Sequence, residues 1–110
     1  MQNKQTKELF QAILALESEE ECKKFLRDLL TEEEIKEFSN RWKVAQMLDA
    51  KIPYKTIEKE TGMSSTTIAR IQKWVLKGTG GYQLMLTRMK KTAKRITKTN
   101  HHATPRSLAV

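Results

Sequence analysis

The side chains best suited to chemistry in this 110-residue chain lie in one run, Ser64-Ser65-Thr66-Thr67-Ile68-Ala69-Arg70-Ile71-Gln72-Lys73. Hydroxyls followed at helical spacing by a guanidinium and an ammonium offer hydrogen bonds to base edges and charge for phosphates. They do not make a nucleophilic centre, because no base stands beside any hydroxyl at a recognisable spacing. In a helix beginning near Ser65, the residues Ser65, Thr66, Ala69, Arg70 and Lys73 share the outer face, and Ile68, Ile71 and Val75 the inner one. Ser64 and Ser65 are its N-cap candidates.

Such a helix must be held out toward its ligand, and the residues before it supply the holder. Gly62 stops a preceding short helix, since a residue without Cβ takes the left-handed conformation at little cost. Ile57 and Met63 are spaced to pack on Ile68 and Ile71. Residues 54–76 therefore read as a helix-turn-helix, whose second helix enters the DNA major groove. Lys55, early in the first helix, is placed for a phosphate. One position departs from the usual motif: Glu58 stands where the helices approach and a small residue is customary.

The other candidates for chemistry reduce to structure. His101 and His102 are adjacent with no Cys, Asp or Glu near them, and Cys22 is the sole cysteine, so neither a metal site nor an intrachain disulfide is expected. Glu19 to Glu21 and Glu32 to Glu34 lie in first turns of helices, where negative charge complements the macrodipole. Gly78-Thr79-Gly80-Gly81 lacks the Lys-Ser/Thr of a phosphate loop. No enzyme activity and no cofactor are expected.

The chain reads as helix after helix, with no strand and no repeat. Residues 3–17 carry Leu9, Phe10, Ile13, Leu14 and Leu16 on one face. Ser18-Glu19-Glu20-Glu21 and Thr31-Glu32-Glu33-Glu34 have capping-box spacing and open two further helices. The first of these ends in Phe25, Leu26, Leu29 and Leu30, and the second, over 32–50, repeats Ile35, Phe38, Trp42, Ala45 and Leu48. Pro53 marks the break before the motif. A last helix carries Tyr82, Met85, Leu86 and Met89 on one stripe, and Trp42 and Trp74 are assigned to the core. Residues 1–91 form the expected helical DNA-binding and dimerisation domain, and 92–110 a basic mobile tail.

The formal charge of +8 is unevenly spread. Residues 1–50 carry eight Lys and Arg against eleven Asp and Glu, and residues 51–110 thirteen against two. The cationic half holds the motif, and Arg88 to Lys98 extends its charge. This favours an anionic polymer, because neutralising phosphates releases counterions. A helical protein-protein module whose basic half docks an acidic partner is the alternative. No run reaches the length of a membrane span, no secretory leader pattern opens the chain, and one cysteine suits a reducing cytoplasm. Three segments, 9–16, 25–30 and 82–89, offer more apolar surface than one chain of this size covers, with Leu9, Ile13, Leu26 and Leu86 on the uncovered faces. A two-fold dimer is the expected cover.

Leu29-Leu30-Thr31-Glu32-Glu33-Glu34, Arg41, Leu48, Ile57-Glu58-Lys59-Glu60-Thr61-Gly62 and Thr67-Ile68-Ala69-Arg70 together resemble the tryptophan repressor superfamily, nearest to its Gram-positive tryptophan-repressor-like regulators. The resemblance covers roughly residues 29–91. It implies an all-α fold of about six helices, an intertwined homodimer, and operator binding as a repressor. It also implies a corepressor pocket, in which Arg41 and Arg70 match the arginines that stack on the indole and Thr31 and Thr67 match pocket positions. Two residues depart from that pocket: Ile71 replaces a glycine and Trp74 a serine that helps seat the ligand. Both add bulk where tryptophan would lie, so tryptophan binding is not expected, Arg41 and Arg70 are read as structural or phosphate-facing, and a small-molecule effector is left open. A tryptophan-responsive repressor is the further alternative.

Overall fold

The computed structural model describes the backbone of residues 3–99 and the side chains of residues 3–93. Six α-helices account for nearly all of it: α1 (Lys4–Leu14), α2 (Glu19–Leu29), α3 (Glu32–Asp49), α4 (Tyr54–Thr61), α5 (Ser65–Lys77) and α6 (Gly81–Thr99). No strand occurs among the described residues.

Caps set several of the helix starts. Asn3 Oδ1 accepts the Thr6 N–H at 2.8 Å, and Ser18 Oγ the Glu21 N–H at 3.1 Å. Thr31 forms the full reciprocal box: its Oγ1 accepts the Glu34 N–H at 3.1 Å, and the Glu34 carboxylate accepts the Thr31 N–H at 2.9 Å. At Ser18 the return bond goes one residue further back, to the Glu17 N–H at 2.9 Å.

Contacts divide the chain near Lys36, within α3. In the first unit, α1 and α2 contain no buried residue, and Leu9, Phe10, Ile13, Leu14 and Leu29 stand exposed. In the second, α3 to α6 enclose Val44, Ala45, Met47, Leu48, Ile57, Ile68, Ile71, Val75 and Leu86, with Trp42, Ile52, Tyr54, Met63 and Tyr82 at the margin.

Three core expectations need correction. Phe38 is 51% exposed, because the buried residues of α3 begin only at Val44, where its neighbours reach it. Trp74 is 42% exposed, since it falls off the arc of Ile68, Ile71 and Val75 that α5 buries. Leu86, expected on an uncovered face, is only 5% exposed and closes the core of its own chain, whereas Leu84, Met85 and Met89 of the same helix are left outside. The last helix is also longer than expected, with helical backbone through Thr99. The remainder of the expected tail, with His101 and His102, lies outside the described residues.

The turn between α4 and α5 is closed by local bonds. Gly62 sits at φ +75°, in the left-handed region, and its N–H donates to the Glu58 carbonyl at 2.8 Å. Thr61 Oγ1 donates to the Ile57 carbonyl at 2.7 Å and accepts the Met63 N–H at 3.2 Å. A Cβ added at Gly62 would meet nothing within 4 Å, so Gly62→Ala isolates the backbone cost. The substitution is expected to destabilise by about 1–2 kcal/mol in urea unfolding. No loss would show that the turn relaxes.

Candidate nucleic-acid interface

The two faces of α5 separate as its periodicity requires. Ile68 and Ile71 are wholly buried and Val75 nearly so, while Ser65, Thr66, Ala69, Arg70 and Lys73 are exposed. The helix start is fixed by Ser64, whose Oγ accepts the Thr67 N–H at 3.2 Å and lies 3.1 Å from Thr67 Oγ1. The hydroxyls of Ser64 and Thr67 are thus occupied with each other and the backbone, and Thr67 is half-buried. Ser65 and Thr66, one and two residues inside the cap, project from the first turn with no such partner among the described residues. Glu58, the residue that departs from the usual motif, is half-buried and leaves the contact of Ile57 with the core intact.

The charges around this face are uncompensated. Neither α4 nor α5 has an acidic residue in its first turn. Lys55, Arg70 and Lys73 make no ion pair among the described residues, where the pairs are Arg41 with Glu37 and Lys90 with Asp49. Lys55 in a first turn opposes the helix dipole, so helix stability does not account for its place.

Three neighbouring residues escaped the sequence reading. The Tyr54 hydroxyl donates to Gln72 Oε1 and joins α4 to α5. Leu76 and Lys77 continue the exposed face of α5 past Lys73. Tyr54, Ala69, Gln72, Lys73, Leu76 and Lys77 line a groove of about 380 Å³. The helical period, carried on from Ala69 and Lys73, would have found Leu76 and Lys77. Nothing local signals the Tyr54–Gln72 bond, because its partners are 18 residues apart.

The residues matched to a corepressor pocket have other engagements. Thr31 is the cap of α3. Arg41 donates from Nε to Glu37 at 3.3 Å, and its guanidinium lies 6.0 Å from the centre of the Phe38 ring. Arg41 also stands near Tyr82, whose hydroxyl is pushed above its usual pKa by burial, an effect the guanidinium partly offsets. Arg70 is on the outer face of α5, and Ile71 is in the core. Trp74 borders an apolar cavity of about 580 Å³ with Trp42, Gly78, Thr79, Gly81, Tyr82 and Met85. Trp42 and Tyr82 stack there with ring centres 6.4 Å apart. Among the described residues no cluster of His, Cys, Asp or Glu fits a metal, and no helix is long and apolar enough to cross a membrane.

The model of the Trp repressor protein family matches residues 4–90. The uncharacterized protein YerC of Bacillus subtilis is 39% identical over 92 residues, which cover 84% of this chain and 88% of YerC. A crystal structure of a Staphylococcus aureus protein provisionally named a Trp repressor is 42% identical, with a TM-score of 0.76 over 81% of this chain and 89% of that one. A TrpR-like protein from Eubacterium eligens is 35% identical, with a TM-score of 0.78 over 81% and 92%. With its six helices, its capped helix-turn-helix and these relatives, the chain belongs to the Trp repressor family, whose members are helix-turn-helix regulators and not enzymes.

Proposed function

We propose that this chain is a cytoplasmic, homodimeric transcriptional repressor that reads duplex DNA through α5 and needs no tryptophan to do so. The observation that carries the reading is the division of α5: a buried apolar side that fixes it, and an exposed side of short hydroxyls and of cations with no ion pair among the described residues. Ser65, Thr66 and Ala69 face base edges, while Lys55, Arg70 and Lys73 take phosphates, with Arg88 and Lys91 adding exposed charge on α6. Ser64 and Thr67 act mainly by fixing the start of the helix.

Independence from tryptophan follows from volume. Ile71 is fully buried in the core, at the position where the tryptophan-binding members have a glycine. Interiors are close-packed, and a ligand competing for filled space would have to displace that side chain. The packing of Ile68 and Ile71 then holds α5 against the core without a ligand.

The dimer follows from uncovered surface. Leu9, Phe10, Ile13 and Leu14 of α1 and Leu84, Met85 and Met89 of α6 are too exposed for an isolated subunit. A two-fold pair covers them and sets two copies of α5 about 34 Å apart, the spacing of successive major grooves. Residues 1–91 are its body, and the basic residues from 92 onward add to its positive charge.

Thr66→Ala is expected to change which bases are preferred, at about 1–3 kcal/mol for a lost contact, with affinity for random duplex nearly constant. Lys73→Ala is expected to weaken all duplexes alike and to lower the salt slope by about one unit. Binding titrations on a selected and a random duplex compare them, and a reversed pattern would contradict the placement of α5.

If the dimer is part of the fold, the thermal unfolding midpoint rises with protein concentration. A constant midpoint with a monomer mass in solution would remove the dimer and the half-site spacing together.

A further inference from the structure

Apolar contacts of Ile57 with its neighbours hold α4 and α5 together, but burial is non-directional and tolerates rotation of one helix on the other. A hydrogen bond is directional, and among the described residues the side-chain bond joining these two helices is that from the Tyr54 hydroxyl to Gln72 Oε1. Its position gives it leverage. The pair is joined at one end by the Gly62 turn, whereas Tyr54 is the first residue of α4 and Gln72 lies two turns along α5. Turn and bond together fix α5 at two separated points.

Both partners are half-buried, so water competes with the bond less than it would on an open surface. Gln72 lies at the edge of the outward face, immediately before Lys73 and three residues after Ala69.

We propose that Tyr54 is a positioning residue for base reading, acting through Gln72 to set the angle at which α5 presents Ser65, Thr66 and Ala69. The inference rests on α5 being the DNA-reading helix. Base-edge hydrogen bonds from short side chains tolerate only a few tenths of an ångström, roughly the tolerance of any constructed binding site. Arg70 and Lys73 reach phosphates on long flexible stems and follow a tilted helix with little loss. Losing the bond therefore removes sequence discrimination while leaving charge-driven binding intact.

The test uses the full chain, a duplex selected by the wild-type protein from a random library, and a random duplex. Tyr54→Phe keeps the ring and its packing and deletes the donor, and Gln72→Met deletes the acceptor at similar volume. Each is expected to weaken binding to the selected duplex by about five- to tenfold while the random duplex is unaffected. The double variant is expected to be no weaker than either single one, as for two partners of one bond. A merely structural bond would lower both affinities in parallel with the unfolding midpoint. Parallel losses, no loss, or losses that multiply in the double variant would overturn the proposal. If Tyr54→Phe fails to fold, Gln72→Met decides by the same ratio. Loss of the inference alone would leave a wild-type protein that still prefers the selected duplex; a wild-type protein with no preference among sequences would overturn the DNA reading and the inference together.

Discussion

Ile57, Ile68 and Ile71, wholly excluded from water, bring α4 and α5 into one core with Val44, Ala45 and Leu48 of α3, and everything that faces outward from α5 depends on that packing. Burying a side chain of this size is worth about 1.5–3 kcal/mol, so three of them outweigh any single cap or turn bond nearby. Gly62 and Ser64 add direction to this non-directional attraction, one by reversing the chain and the other by fixing where α5 begins. Ser65, Thr66, Arg70 and Lys73, exposed on the other side of α5, make no side-chain hydrogen bond or ion pair among the described residues.

Features governed by neighbours in sequence are legible from residue order alone. The box at Thr31, the left-handed Gly62 and the cap at Ser64 each follow from residues within four positions of one another, and the buried arc of α5 from steps of three and four. What escaped depends on distant elements. Phe38 and Trp74 have core spacing, but each stands at the edge of what its helix buries: the buried residues of α3 begin at Val44, and Trp74 falls off the arc of Ile68, Ile71 and Val75. Leu86 failed in the other direction, because its own chain supplies the cover. The Tyr54–Gln72 bond has no periodic signature at all.

The sign of the charge changes along the chain, and that change fits the proposed division of labour. α1 and α2 hold exposed apolar side chains within the acidic half, suited together with Leu84, Met85 and Met89 of α6 to a subunit contact, while Lys55, Arg70 and Lys73 of α4 and α5, without an ion pair among the described residues, suit phosphates. Arg41, matched to a pocket position, pairs with Glu37 and lies near Phe38, both on its own helix. Ile71 likewise lies wholly in the core, the observation on which the proposed independence from tryptophan rests.

A fluorescence titration with random-sequence duplex DNA, at two salt concentrations and with or without L-tryptophan, tests the central claim most directly. The account predicts saturable binding whose log K falls with log salt by roughly 0.9 per phosphate neutralised. It also predicts that the curves with and without tryptophan superimpose. Absent or salt-independent binding would contradict the DNA reading in favour of a basic surface for an acidic protein partner, and tightening by tryptophan would contradict the claim that the recognition helix is held by its own packing.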